Sequence, residues 1–381
     1  MTSCWIIWLA CCIALTARVA RCWEHTDADA LRSALGAHDI ALVAFVSPSE
    51  PNSQAFEDEW LSAVSKSDHS LLSIDCEAEP GVCAKHEVNS GPTLRIFERG
   101  NAVATYLGTF RGIGISNFVS RLARPIVSEI STDNIEAFTG IDDTVFVAYI
   151  GLDDHAARET FAEVAKRYRE EFTFGVVSDA TLTKDEASVS PTVKCYLKDG
   201  GTVTRTATSF TDTAALEKFV LEASRPVVGE LTKYNQQRLL NRGWPMVYLF
   251  ARTEEDRSRL RMELHSFAKG YYDSLTCVTV DPLEFPELQE KMGLEPGGFP
   301  SGAVHQLSKD RIYPYPRNLP VDSQSLQKWG LDVWQGRIKP WTPPGATTAP
   351  DDPGPTKRAK RKVSLANIPG VTIKVAGHDE L

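Results

Sequence analysis

The richest chemistry available to this 381-residue chain lies in its eight cysteines. Cys4, Cys11, Cys12 and Cys22 crowd the N-terminus, whereas Cys76, Cys83, Cys195 and Cys277 are spread through the body. The C-x6-C spacing of Cys76 and Cys83 leaves three chemistries open: a structural disulfide, a disulfide that exchanges with other thiols, or a zinc site. For zinc, His86 would be the third ligand, one short of a structural set. Cys195 and Cys277 each sit inside an apolar run, where cysteine acts as a small buried hydrophobe; a reactive thiol needs an exposed, electropositive setting. Glu50 with Asn52, and Asp153 with Asp154, could act as acid/base groups, but carboxylates and amides at helix starts serve as caps and dipole partners. The sequence holds no Gly-rich phosphate loop, His-Glu-x-x-His or Gly-x-Ser-x-Gly elbow. No metal and no cofactor is expected.

The elements that must position these residues recur with a period of about a hundred residues. Arg124-Pro125-Ile126-Val127-Ser128-Glu129-Ile130 returns as Arg225-Pro226-Val227-Val228-Gly229-Glu230-Leu231, and each copy marks a joint. Between joints, a buried strand (Leu42 to Val46, Val145 to Ile150, Met246 to Phe250) precedes an amphipathic stretch and a second strand ending in or near an acid (Leu71 to Asp75, Phe172 to Asp179, Leu275 to Asp281). A Pro-led strand follows, from Pro92, Pro191 and Pro300. Short apolar runs bounded by breakers suit strands covered on both faces, which makes the fold class α/β. Each unit closes with an amphipathic helix, carried by Ile115, Phe118, Val119 and Leu122, by Leu216, Phe219 and Val220, and by Leu326, Trp329 and Val333.

Several segments together resemble the protein disulfide isomerase family. They are Phe45-Val46-Ser47-Pro48-Ser49 leading into Glu50-Pro51-Asn52-Ser53, Asp75-Cys76 through Cys83 to Val88, Gly91-Pro92-Thr93-Leu94-Arg95-Ile96-Phe97, and Trp334-Gln335-Gly336-Arg337-Ile338-Lys339-Pro340. The resemblance implies three tandem thioredoxin-like domains: an a-type domain at 23–124, a b-type at 125–225 and a b′-type at 226–340, with the last of these segments matching the usual b′ ending. A fourth, catalytic domain usual in the family does not follow it. In its place stands a tail at 341–381, expected to be disordered on its Pro, Gly, Thr and Asp content and to carry the basic run Lys357 to Lys362 as a solvated arm.

Residue by residue, the resemblance places Glu50-Pro51-Asn52-Ser53 where catalytic members carry Cys-Gly-His-Cys, so the site is degenerate and has no catalytic residue. Ala44 and Ser73 stand where a buried Glu and a buried Lys handle protons. In a Tyr-x-Gly-x-Arg segment, Tyr106-Leu107-Gly108-Thr109-Phe110 puts Phe110 in the arginine slot, with Arg111 one place late. The same resemblance implies a structural Cys76–Cys83 disulfide, cis peptide bonds before Pro92, Pro191 and Pro300, and an apolar client groove lined by Tyr248, Phe250, Leu264 and Val278.

Both ends suggest an address. The apolar run Trp5 to Ala17 is too short to span a bilayer, and it reads as a signal peptide over 1–20. His378-Asp379-Glu380-Leu381 reads as an endoplasmic reticulum retrieval signal. The net charge of −9 argues against nucleic acid as a partner, and no second long apolar run suggests membrane insertion. The expected function is a folding factor of the endoplasmic reticulum lumen. It would bind unfolded or folding secretory polypeptides, or a partner protein there, as a redox-inactive chaperone, escort or scaffold, besides meeting the retrieval receptor. The competing reading is a thiol-disulfide oxidoreductase working through Cys76–Cys83 or a retained Cys22.

Overall fold

The computed structural model describes residues 23–88, 91–177, 191–199, 201–208, 210 and 212–343. The segment 1–20, nearly all of the tail at 341–381 and the motif His378 to Leu381 lie outside the described residues.

Three α/β units follow one another. The first holds α1 (Ala28–Ala37), β1 (Ile40–Val46), α2 (Pro51–Lys66), β2 (Ser70–Asp75), α3 (Pro80–Lys85), β3 (Thr93–Glu98), β4 (Asn101–Thr105) and α4 (Gly112–Ala123). In the second are β5 (Ser128–Ile130), α5 (Ile135–Thr139), β6 (Thr144–Tyr149), α6 (His155–Tyr168), β7 (Thr173–Val177), β8 (Thr192–Lys198), β9 (Thr202–Thr208) and α7 (Thr213–Ala223). The third comprises β10 (Val228–Glu230), α8 (Gln236–Asn241), β11 (Met246–Phe250), α9 (Glu254–Gly270), β12 (Thr276–Val280), α10 (Leu288–Lys291), β13 (Ser301–Gln306), β14 (Arg311–Pro314) and α11 (Ser323–Trp334).

The sheets run β2-β1-β3-β4, β5-β7-β6-β8-β9 and β10-β12-β11-β13-β14, so the second and third repeat the first with one strand added at the leading edge. In each, the central strand pairs parallel on one side and antiparallel on the other. The repeated joints supply the added strands: immediately after Arg124-Pro125 and Arg225-Pro226 the chain enters β5 and β10. In the first unit the segment before α1 runs along that edge instead, where Thr26 N–H donates to the Ser73 carbonyl at 2.7 Å.

Alternation within the central strands explains why they read as continuous apolar runs. In β1, Leu42, Ala44 and Val46 face a core shared with α2 and α4, while Ala41, Val43 and Phe45 face one shared with α1 and α3. Helix starts are fixed by side chains: Asp27, Asp154, Asp212, Thr253 and Asp322 accept first-turn N–H groups of α1, α6, α7, α9 and α11. At α2 a proline takes the first position and no side chain caps the helix, because Glu50 is engaged elsewhere.

All three pairs of units are in contact. Asp142 accepts from Arg121 and Asn117 of α4 and from Thr173 of β7, tying the first unit to the second. Between second and third, the Arg225 guanidinium lies 3.5 Å from the centre of the Tyr272 ring and donates to the Tyr272 carbonyl. Between first and third, the Phe110 N–H donates to Glu284 at 2.9 Å, and Arg111 pairs with Glu230 at 3.2 Å and Glu254 at 3.5 Å. A cleft of about 510 Å³ opens where the units meet. Much of its charged lining is already engaged across the joints, as in Arg121–Asp142 and Arg238–Glu171.

Candidate functional site

The turn from β1 into α2 carries Glu50, Pro51, Asn52 and Ser53. Ser53 is buried in the first turn of α2, and its Oγ accepts the Ser47 N–H at 3.1 Å, closing the turn. Glu50 reaches across to the opposing loop, where its Oε2 accepts the Gly91 N–H at 3.1 Å. Ser49 donates from both N–H and Oγ to Glu77 on the loop after β2. Pro51 is exposed and Asn52 half-buried, both at the start of α2. The site is a small polar network that joins three loops and holds no thiol.

Beneath it, Ala44 and Ser73 are directly paired across β1 and β2. Ser73 has become a hydrogen-bonding hub: it receives the Trp23 indole N–H at 2.8 Å, lies 3.1 Å from His25 Nδ1, and donates to the Glu24 carbonyl at 3.1 Å. The Trp23 ring stacks on Trp60 and meets Phe56 edge-on, so aromatic surface lies beside Ala44. Burial holds the His25 imidazole below its ordinary pKa, against the pull of Asp75 and Glu57. No ionisable side chain takes the two proton-handling positions.

Cys76 and Cys83 are joined by a disulfide, with Cα atoms 5.6 Å apart. Both sulfurs are thereby occupied, so His86 completes no zinc site; its ring packs against Phe45 and Phe97. Burial, with Lys85 and Arg95 nearby, lowers its pKa. Cys195 and Cys277 are free and buried, and burial pushes each thiol up to about 12. At neutral pH neither supplies a thiolate. Asp154 caps α6 through the Ala157 N–H, a structural task.

Two expectations need correction. The Phe299–Pro300 peptide is cis, but among the described residues the Gly91–Pro92 peptide is not. Gly91 makes that reversal at φ +62°, a conformation open to glycine, with its N–H held by Glu50. The peptide before Pro191 involves Ser190, outside the described residues.

The second concerns Tyr248, Phe250, Leu264 and Val278, which do not line one open groove. All four are at most 3% exposed. Tyr248, Phe250 and Val278 share one face of the third sheet with Met292 and Ala303, while Leu264 packs on the opposite face with Leu249 and Trp329. The segment from Phe285 to Leu294, including α10, covers the first of these faces. An apolar central strand reads alike whether its cover is a client or the chain itself.

Sequence reasoning also missed the contact between first and third units. Phe110 is buried against Phe56, and Arg111 turns outward to Glu230 and Glu254. Although burial opposes its charge, those two carboxylates raise the pKa of Arg111. The one-place shift of the arginine was the available signal.

Comparison with known proteins joins this geometry to a family. Residues 23–121 match the thioredoxin family model and residues 150–330 match a thioredoxin-like domain model. The chain is 28% identical over 306 residues to the protein disulfide-isomerase of Humicola insolens, covering 80% of this chain and 60% of that protein. The protein disulfide-isomerase of Aspergillus oryzae is 28% identical over 306 residues, covering 80% and 59%. The chain is built of thioredoxin-like domains and is similar in sequence to protein disulfide-isomerases. It spans about 60% of the length of these curated relatives. Human ERp44 is similar with a TM-score of 0.39 and 16% identity, covering 82% of this chain and 88% of that one. The bb fragment of ERp72 gives 0.44 and 18%, covering 57% and 100%.

Proposed function

We propose that this chain is a folding factor that holds unfolded or folding secretory polypeptides, or a partner protein, without exchanging thiols with them: a chaperone, escort or scaffold of the endoplasmic reticulum lumen. One observation carries the reading. The position where thiol chemistry would take place is built from Glu50 and Ser53, each committed to a structural hydrogen bond, above a Ser73 committed to Trp23. Exchange requires a thiolate and a resolving thiol, and neither carboxylate nor hydroxyl substitutes for them.

With Tyr248, Phe250, Leu264 and Val278 covered, binding falls to exposed apolar surface on the third unit. Leu331 and Trp334, 47% and 83% exposed, are three residues apart on α11 and so neighbour one another on its surface. The test is a paired assay of the full chain. Insulin reduction in a glutathione buffer should not rise above the buffer rate, while aggregation of a reduced, unfolded polypeptide should be suppressed at stoichiometric concentration. Trp334→Ala should weaken that suppression severalfold and leave the melting temperature unchanged. Insulin reduction that disappears in Cys76→Ser/Cys83→Ser would instead establish the oxidoreductase reading.

A further inference from the structure

Glu284 and Arg111 form the charged part of the contact between the first and third units, and binding as proposed above makes no use of them. We propose that this contact is a proton-coupled latch: an acidic socket on the third unit closes on the first unit when Arg111 enters it and Glu284 carries a proton.

The socket's own charges do not balance. Glu230, Glu254, Asp281 and Glu284 gather around Arg257 and Arg261, an excess of two carboxylates. Arg257 pairs with Asp281 at 2.9 Å and with Glu230 and Glu254 at 3.3 Å, and Arg261 bonds to Glu254. Arg111 of the first unit brings a third guanidinium, set between Glu230 and Glu254 and 4.0 Å from Asp143 of the second unit. Three cations then face Glu230, Glu254, Asp281 and the half-exposed Asp143, and Glu284 pairs with none of them.

Glu284 is 6% exposed and forms no ion pair among the described residues. Its Oε1 accepts the Phe110 N–H, and its Oε2 has no hydrogen-bond partner. Facing it are Glu230 and Asp281, which repel a negative charge, Arg257, which attracts one, and the Tyr106 hydroxyl of the first unit. A buried carboxylate with one amide donor is poorly sustained, and a proton removes the cost. Burial first, then Glu230 and Asp281, accordingly raise this carboxyl well above the usual range. Leu283, beside it, packs against the first unit's core, so the carboxyl is sealed by the contact itself.

The sign follows from where the proton binds more tightly. Opening the contact returns Glu284 to water and lifts the burial that raises it most, so its carboxyl falls back towards the ordinary range and closing takes up a proton. The closed form is favoured at low pH and loses its advantage as pH rises towards the raised value. Between the two pKa values the ratio of open to closed grows by up to about tenfold per pH unit. Asp281 stays with Arg257 inside the third unit in either form and is not the sensor.

The experiment uses the full chain with donor and acceptor dyes on cysteines introduced at Val103 and Met262, exposed positions on the first and third units. Inter-unit distance distributions are recorded from pH 4.5 to 8.5, with circular dichroism to confirm folding. The wild type should show an open fraction that grows with pH. Glu284→Gln keeps an oxygen for the Phe110 N–H without a charge, and it should remain closed throughout; Arg111→Ala should raise the open-to-closed ratio at least tenfold at every pH. Should Arg111→Ala fail to fold, the near-isosteric Glu284→Gln decides alone. A wild-type pH response that Glu284→Gln abolishes supports the latch. A wild type without a pH response, or a Glu284→Gln curve that follows the wild type, overturns it.

Discussion

The loop leaving the second strand of the first unit and the corresponding loop of the third begin alike and are secured differently. Asp75 accepts the N–H of Glu77 at 2.8 Å and Asp281 accepts the N–H of Leu283 at 2.9 Å, so each loop opens on the same aspartate turn. The first is then stapled covalently through Cys76 and Cys83, whereas the third is held by Asp281 on Arg257 and by Glu284 on the first unit. One position in a repeated fold thus carries two kinds of anchor. The covalent one answers to redox potential and carries no titratable group; the ionic one is built of titratable groups and has no redox chemistry.

Breaking the ionic anchor should have the larger effect. Arg257 is 2% exposed, donates to the Ala251 and Arg252 carbonyls and faces three carboxylates. Arg257→Ala strands those carboxylates, and a loss of about 3–5 kcal/mol is expected in a denaturant titration followed by a probe in the third unit. An isolated third unit is not needed, because the free thiol of Cys277 lies in that unit's core and its modification reports on unfolding there.

Removing the covalent anchor should cost less. Cys76→Ser with Cys83→Ser frees a short loop in the unfolded chain, and a loss of about 2–3 kcal/mol is expected in the first unit. The third unit's transition should not move. A matching shift in both transitions would show that the units unfold as one body and that the two anchors cannot be compared separately.

The smallest change expected is in activity. Restoring cysteines with Glu50→Cys and Ser53→Cys should return little isomerase activity to the full chain, because Ala44 and the Trp23-bonded Ser73 leave no proton-handling pair beneath them. Turnover approaching that of a catalytic family domain would show that substitution of the thiols alone, and not the remodelled ground under them, separates this unit from its relatives.

What could be read from the sequence follows the range of each interaction. Strands such as Leu42 to Val46 and the closing helix with Ile115, Phe118 and Val119 announce themselves by local pattern, and the hundred-residue repeat places them in three units. The strands β5 and β10 are three residues each, too short for any periodicity, and appeared only as joints. The cis bond expected before Pro92 is a feature the family resemblance implies, whereas in this chain Gly91 makes the turn at φ +62°. The groove assigned to Tyr248, Phe250, Leu264 and Val278 failed because apolar spacing records that a face is covered without naming the cover. The bond from Phe110 to Glu284 spans 174 positions, and nothing local to either residue encodes it.

The two free cysteines among the described residues also turn the molecule into its own gauge. Cys195 lies in the core of the second unit and Cys277 in that of the third, both closed to solvent. A thiol reagent reaches either one only through a local opening, and an opening that exposes one need not expose the other. Followed peptide by peptide, the rates of modification would time the breathing of each unit separately in the unaltered protein.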